Sequence, residues 1–334
     1  MYELLGICLA LAALLALNAC ASLLTAIVWQ IIEPHSSRWS ASTRARLLFT
    51  LRVLPSALAA AFVFALVIPA YILHEPPHTD EVVGTKLLIF AAVSAAGVLF
   101  ALSRIAGTWQ ATRKLAREWM HHAEPVAIEG VRLPAYSMRH RFPVIAVVGV
   151  LRPRLFIATQ VFDSLTADEL AAALAHERGH VEARDNLKRA LLRAGQDALL
   201  FPPLGRTLMR AWHCASEEAA DELAACKSSA AALNLAAAIV KISRMIPAGA
   251  RPTLPAGAHL LGDDEDGLSR RVRILLRLAA PQTRATALPR SSALNFFATE
   301  CWVTLGAVFL LLVTNPEVLK STHDAIEHVV AALR

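Results

Sequence analysis

Four stretches of the chain stay apolar for about 20 residues, the length a helix needs to cross a bilayer. They run over approximately Leu4–Trp29, Phe49–Leu73, Leu87–Ile105 and Phe296–Val313. No Lys or Arg precedes the first run, as a cleaved signal requires, so it reads as an uncleaved span. Between the third and fourth runs the pattern changes. Trp109–His122 reads as a basic helix at the membrane surface, with Trp109 and Trp119 as interface anchors. Phe142–Val150 and Leu155–Thr159 are apolar and β-branched, and the four residues between them predict a short hairpin. Thr166 followed by Glu169 is a capping box, predicting a helix that continues to about Leu192. Further helices are predicted over Thr207–Ala225 and Ala230–Met245, and residues 247–267, rich in Pro, Gly and acids, read as a surface loop. The expected organisation is three spans in 1–105, a folded domain in 106–295, and a fourth span with a short tail in 296–334.

Composition supports the membrane reading. Apolar residues make up 56% of the chain, charged residues 18%, and the mean hydropathy is +0.47. A soluble domain carries nearer about 25% charged residues. The net charge of +6 is spread beside the apolar runs, with no long basic block among aromatics, so nucleic acid is not an expected partner. Residues 33–48 hold Arg38, Arg44 and Arg46, whereas residues 74–86 hold Glu75, Asp80 and Glu81. Arg104, Arg113, Lys114 and Arg117 follow the third span. Positive charge marks the inner side, which puts the amino terminus outside and 106–295 in the cytoplasm. The five cysteines form no disulfide pattern and suit a reducing compartment.

The chemistry lies in His176-Glu177-Arg178-Gly179-His180. Residues four apart share one helix face, so both imidazoles can reach one metal ion. Glu177 sits beside them, where a carboxylate can deprotonate a water polarised by the metal. The pattern is a metalloprotease signature. A catalytic zinc needs a third protein ligand and one open position. Glu217 and Asp221 lie 37 and 41 residues beyond His180, and Glu218 and Glu222 compete in the neighbouring register. Spacing alone leaves both pairs open.

Leu174–His180, followed by Arg184-Asp185-Asn186, resembles the membrane zinc metallopeptidases of the bacterial beta-lactam sensor-transducers (BlaR/MecR-type), and more loosely the HtpX and CAAX prenyl-protease group. Glu217-Glu218-Ala219-Ala220-Asp221 matches the E-x-x-x-D sequence that carries the third ligand in those families. The resemblance therefore implies Glu217 as the ligand and Asp221 as a carboxylate orienting a ligating imidazole. It implies a mainly α fold with a small β element, in which four transmembrane helices hold a cytoplasmic gluzincin-type metalloprotease domain between the third and fourth. It further implies one catalytic Zn2+, a bacterial inner-membrane location, and regulatory cleavage of a cytoplasmic or membrane protein such as a transcriptional repressor.

Membrane-protein quality control and a catalytically inactive scaffold are the competing expectations. Leu155, Phe156 and Ile157 are expected to bind substrate as an exposed strand edge. The residues after Val313 contain no S-x-x-K serine, so the resemblance is not expected to bring antibiotic sensing with it.

Overall fold

The computed structural model describes residues 2–36, 39–76, 83–195, 202–246, 265–280, 309 and 313–333. Helix α1 spans Tyr2–Ser36. Ser40 then caps α2, Ala41–Phe62, by accepting from the Thr43 amide. A π-helical turn, Val63–Val67, leads directly into α3, Ile68–His74. That turn sits just before Pro69, whose ring and missing N–H would interrupt a regular helix. Helix α4 runs unbroken over Thr85–His121.

Among the described residues these are the three helices, with Ala41–His74 taken as one, long and apolar enough to cross a membrane. Their outer faces carry exposed Leu24, Phe64, Leu73, Ile89 and Leu99, the surface a lipid-facing bundle presents. Inside, the Ser56 hydroxyl donates to Asn18 at 2.9 Å and ties α1 to α2. The expected fourth span, Phe296–Val313, lies almost wholly outside the described residues. The surface helix expected at Trp109–His122 is no separate element, because α4 passes through residue 106 without a break.

A four-stranded sheet follows: β1 Ala123–Pro125, β2 Ala135–Met138, β3 Ile145–Val148 and β4 Arg154–Ala158. Their order is β1-β2-β4-β3. The predicted hairpin is β3 against β4, with Val147 opposite Leu155. Gly149 turns it at φ 112, and a Cβ there would lie 2.6 Å from the Arg152 carbonyl oxygen. The expectation that Leu155, Phe156 and Ile157 form an open edge is corrected. Strand β4 is flanked by β2, parallel to it, and by β3, and these three side chains are buried in the core. Strands β1 and β2 leave no mark in the sequence pattern because three- and four-residue strands show too little alternation to read.

Helix α5 covers Thr159–Ser164 and α6 covers Ala167–Glu182, opened by the predicted capping box of Thr166 and Glu169. The Lys241 ammonium reaches Glu169 at 2.7 Å, fastening that end to α9, Ser229–Arg244. The helix expected to reach Leu192 stops earlier. Ala183 is its C-cap and Arg184 takes φ 54, after which α7 begins as Asp185–Gly195. Helices α8, Pro202–Ala225, and α10, Glu265–Ala279, complete the domain. One apolar core joins the sheet to α6, α9 and α10 through Phe156, Ile157, Ala173, Leu235, Ile239 and Leu275. A second core packs Trp29, Leu48 and Leu51 of α1 and α2 against Leu192, Leu208 and Trp212 of α7 and α8. Helix α11, Pro316–Leu333, closes the other end of the bundle, with Leu319 on Leu66 and Ala70.

The left-handed backbone at exposed Arg184 costs about 1 kcal/mol relative to glycine. Arg184→Gly is therefore expected to hold or raise the thermal midpoint of the purified protein, and Arg184→Val to lower it. A lower midpoint for the glycine variant would contradict the strain at this turn.

Candidate metal centre

Helix α6 carries His176 and His180 on one face, and both are buried. Their rings meet edge to face with centroids 4.7 Å apart and Nε2 atoms 3.1 Å apart. Each Nδ1 is committed to a carboxylate. Nδ1 of His176 faces Asp221 Oδ1 at 2.8 Å, and Nδ1 of His180 faces Asp185 Oδ2 at 2.8 Å. A carboxylate only accepts in hydrogen bonds, so a hydrogen held on each Nδ1 would turn the Nε2 atoms of both rings toward one shared ion. Glu217 completes the cluster from α8, with its carboxylate oxygens 3.5 Å from His176 Nε2 and 3.4 Å from His180 Nε2.

Helix α8 comes this close because position 179 is glycine. A Cβ on Gly179 would lie 3.1 Å from Ala220 Cα and 3.3 Å from its Cβ, so the two helices meet backbone to backbone beside the ligands. Asp221, one turn past Glu217, then falls under His176. Glu218 and Glu222 take the other side of α8. Glu218 pairs with Arg44 and with Arg270 at 2.6 Å, and Glu222 accepts the Ala41 amide at the start of α2. That register faces the membrane helix and away from the histidines.

Three further residues hold the site. Asp185 opens α7 directly after the left-handed turn, which aims its carboxylate back at His180, and Ser216 donates to it at 2.7 Å. Arg271 of α10 grips Asp221 with two donors at 2.8 and 2.7 Å and approaches Glu217 at 3.2 Å. Arg189 of α7 reaches Glu217 at 3.1 Å. Asn186 donates to the carbonyls of Val147 and Gly149, locking α7 to β3. The sequence marks Asp185 only as part of the family pattern Arg184-Asp185-Asn186, and no motif marks a role for Arg189 or Arg271. The available signal was position: Arg271 shares a helical stripe with Leu268, Val272 and Leu275, and Arg189 shares one with Leu192. A cation on an apolar stripe implies a buried partner.

Burial weighs against every charge here, and the neighbours decide the outcome. His180, His176 and Arg271 outweigh burial at Glu217 and hold its carboxyl well below the usual carboxylate range. Arg271 does the same for Asp221, and His180 and Ser216 for Asp185. At His180 burial disfavours the imidazolium, but Glu217 and Asp185 prevail and push its pKa up to about 9. Glu177 differs: burial dominates the nearby imidazoles and raises its carboxyl. Oε2 of Glu217 is buried without a hydrogen-bond donor. Nitrogens sharing one tetrahedral zinc ion lie roughly 3.3 Å apart, near the separation seen between the two Nε2 atoms. His176, His180 and Glu217 thus fit a metal ion, and the donor set suits zinc.

Helices able to cross a membrane, joined to a small sheet and a His-His-Glu metal centre, define a membrane-bound metallopeptidase. Residues 21–275 match the BlaR1 peptidase M56 family, and the chain belongs to it. No curated protein matches the chain.

If Asp185 orients His180 as the geometry implies, Asp185→Asn lowers zinc affinity by about 10- to 100-fold in chelator competition. Affinity equal to that of the native protein would remove the role.

Proposed function

We propose that this protein is an integral-membrane zinc endopeptidase that hydrolyses peptide bonds of a cytoplasmic or membrane protein. The observation that carries the reading is the convergence of His176, His180 and Glu217 with buried Glu177 beside them. Zinc held by the three ligands supplies a Lewis acid for the scissile carbonyl and lowers the pKa of water. Glu177, with its raised carboxyl pKa, removes the proton from the attacking water and returns it to the leaving amine nitrogen. Asp221 and Asp185 keep the imidazoles in the tautomer that leaves both Nε2 atoms free to ligate. Arg271 favours the ionised form of both Glu217 and Asp221, the form each needs as ligand and as imidazole partner.

The biological role we assign is regulatory proteolysis, with a transcriptional repressor as the kind of protein cleaved. It rests on the family and on the direct link between α8 and the membrane helix α2. In this reading 106–295 is the cytoplasmic protease domain, the amino terminus lies outside a bacterial inner membrane, and 296–313 crosses back.

Glu177→Gln is expected to keep its zinc and lose peptide hydrolysis by several orders of magnitude; retained turnover would rule the mechanism out. The orientation has its own test. A variant keeping Cys226, exposed at the end of α8, as its sole cysteine is expected to react with a membrane-impermeant maleimide only after the cells are opened. Labelling in intact cells would reverse the orientation.

A further inference from the structure

A second group of ligand-type side chains gathers at the opposite end of the bundle. The helical segment that begins at Ala41 ends at His74, and Glu75 is its C-cap. Helix α11 packs across this end through Leu319, Ile326 and Val330. His323 and Glu327, one turn apart on α11, are thereby brought to Glu75, and the ligand atoms of the three lie within 4.8 Å of one another. The arrangement repeats that of the protease centre: two ligands four apart on one helix, and a carboxylate from another.

Two observations point to a cation there. Nδ1 of His323 is buried with no hydrogen-bond partner. The His74 ring stacks on that of His323 with centroids 5.7 Å apart. Nδ1 of His74 lies 3.2 Å from the Ala70 carbonyl oxygen, which can only accept, so the neutral ring keeps its lone pair on Nε2. Glu75, meanwhile, is only 8% exposed. Two carboxylates and an unsatisfied imidazole nitrogen, partly withdrawn from water, form a mixed nitrogen and oxygen donor set. Such sets favour zinc-like ions, whereas calcium and magnesium favour oxygen alone.

We propose that Glu75, His323 and Glu327 form a second site for a divalent transition-metal cation, with His74 as an adjacent imidazole. The helix from Arg44, which contacts α8, to Glu75 rises about 1.5 Å per residue, placing this site about 45 Å from Glu218. It is therefore separate from the His176 centre and lies across the membrane from it. A cation here joins α11 to α3 and makes the seating of α11 dependent on metal outside the bilayer.

The test uses the full chain in detergent micelles, stripped with chelator, reloaded with Zn2+, desalted and counted by mass spectrometry. Two ions per chain are expected. The His176→Ala/His180→Ala double variant should retain one, and Glu327→Gln or His323→Ala should each lose the other while keeping the protease ion. Cobalt loaded into the His176→Ala/His180→Ala variant should give a visible ligand-field band that Glu75→Gln abolishes. A native chain holding a single ion, lost entirely in the His176→Ala/His180→Ala variant, would overturn the proposal. So would a cobalt band unaffected by Glu75→Gln. Failure of proteolysis would leave this count of ions unaffected, so the two readings fail separately.

Discussion

Glu217 is a carboxylate drawn almost wholly out of water, and much of the domain is arranged around what that requires. Its negative charge needs partners at short range, and α6 delivers two while α7 and α10 deliver one each. Two of those partners are imidazoles, which serve as ligands only if their outer nitrogens are held by further carboxylates. Asp221 and Asp185 provide that hold, and Asp221 then needs the two-pronged grip of Arg271. The network is thus a chain of obligations, each buried charge requiring the next.

Backbone geometry makes the network possible. Gly179 lets α8 approach α6 closely enough for Glu217 to reach two imidazoles on the neighbouring helix. The left-handed turn at Arg184 ends α6 one residue before Asp185, so the next helix sets off with its carboxylate already beneath His180. Asn186 then pins α7 to the edge strand β3. Three consecutive residues after α6 therefore turn the chain, orient a ligand and anchor the sheet.

The ligating core was readable in the sequence because an i,i+4 histidine pair inside a capped helix has few other uses. Choosing Glu217 over Glu218 needs a family pattern, since the two acids are adjacent on one helix and spacing does not rank them. The structure gives the physical difference: one face of α8 looks into the histidines, the other toward Arg44 and the start of α2. The turn at Arg184 stayed hidden because arginine is a good helix former and gives no local sign of a stop. The strand Leu155–Ile157 was misplaced for a different reason. A fully apolar run reports that both its faces are buried, and an edge strand open to solvent seldom has that character. Arg189 and Arg271 were visible as cations on apolar stripes, but their partners lie 28 and 50 residues away from them, and no local pattern connects such pairs.

Arg271 also sets a schedule for the molecule. Glu177, Glu217 and Asp221 are synthesised well before it, and until α10 is in place the carboxylate pair on α8 lacks a cation that compensates its burial. Asp221 therefore gains the guanidinium that offsets its burial only once α10 has been made and has docked.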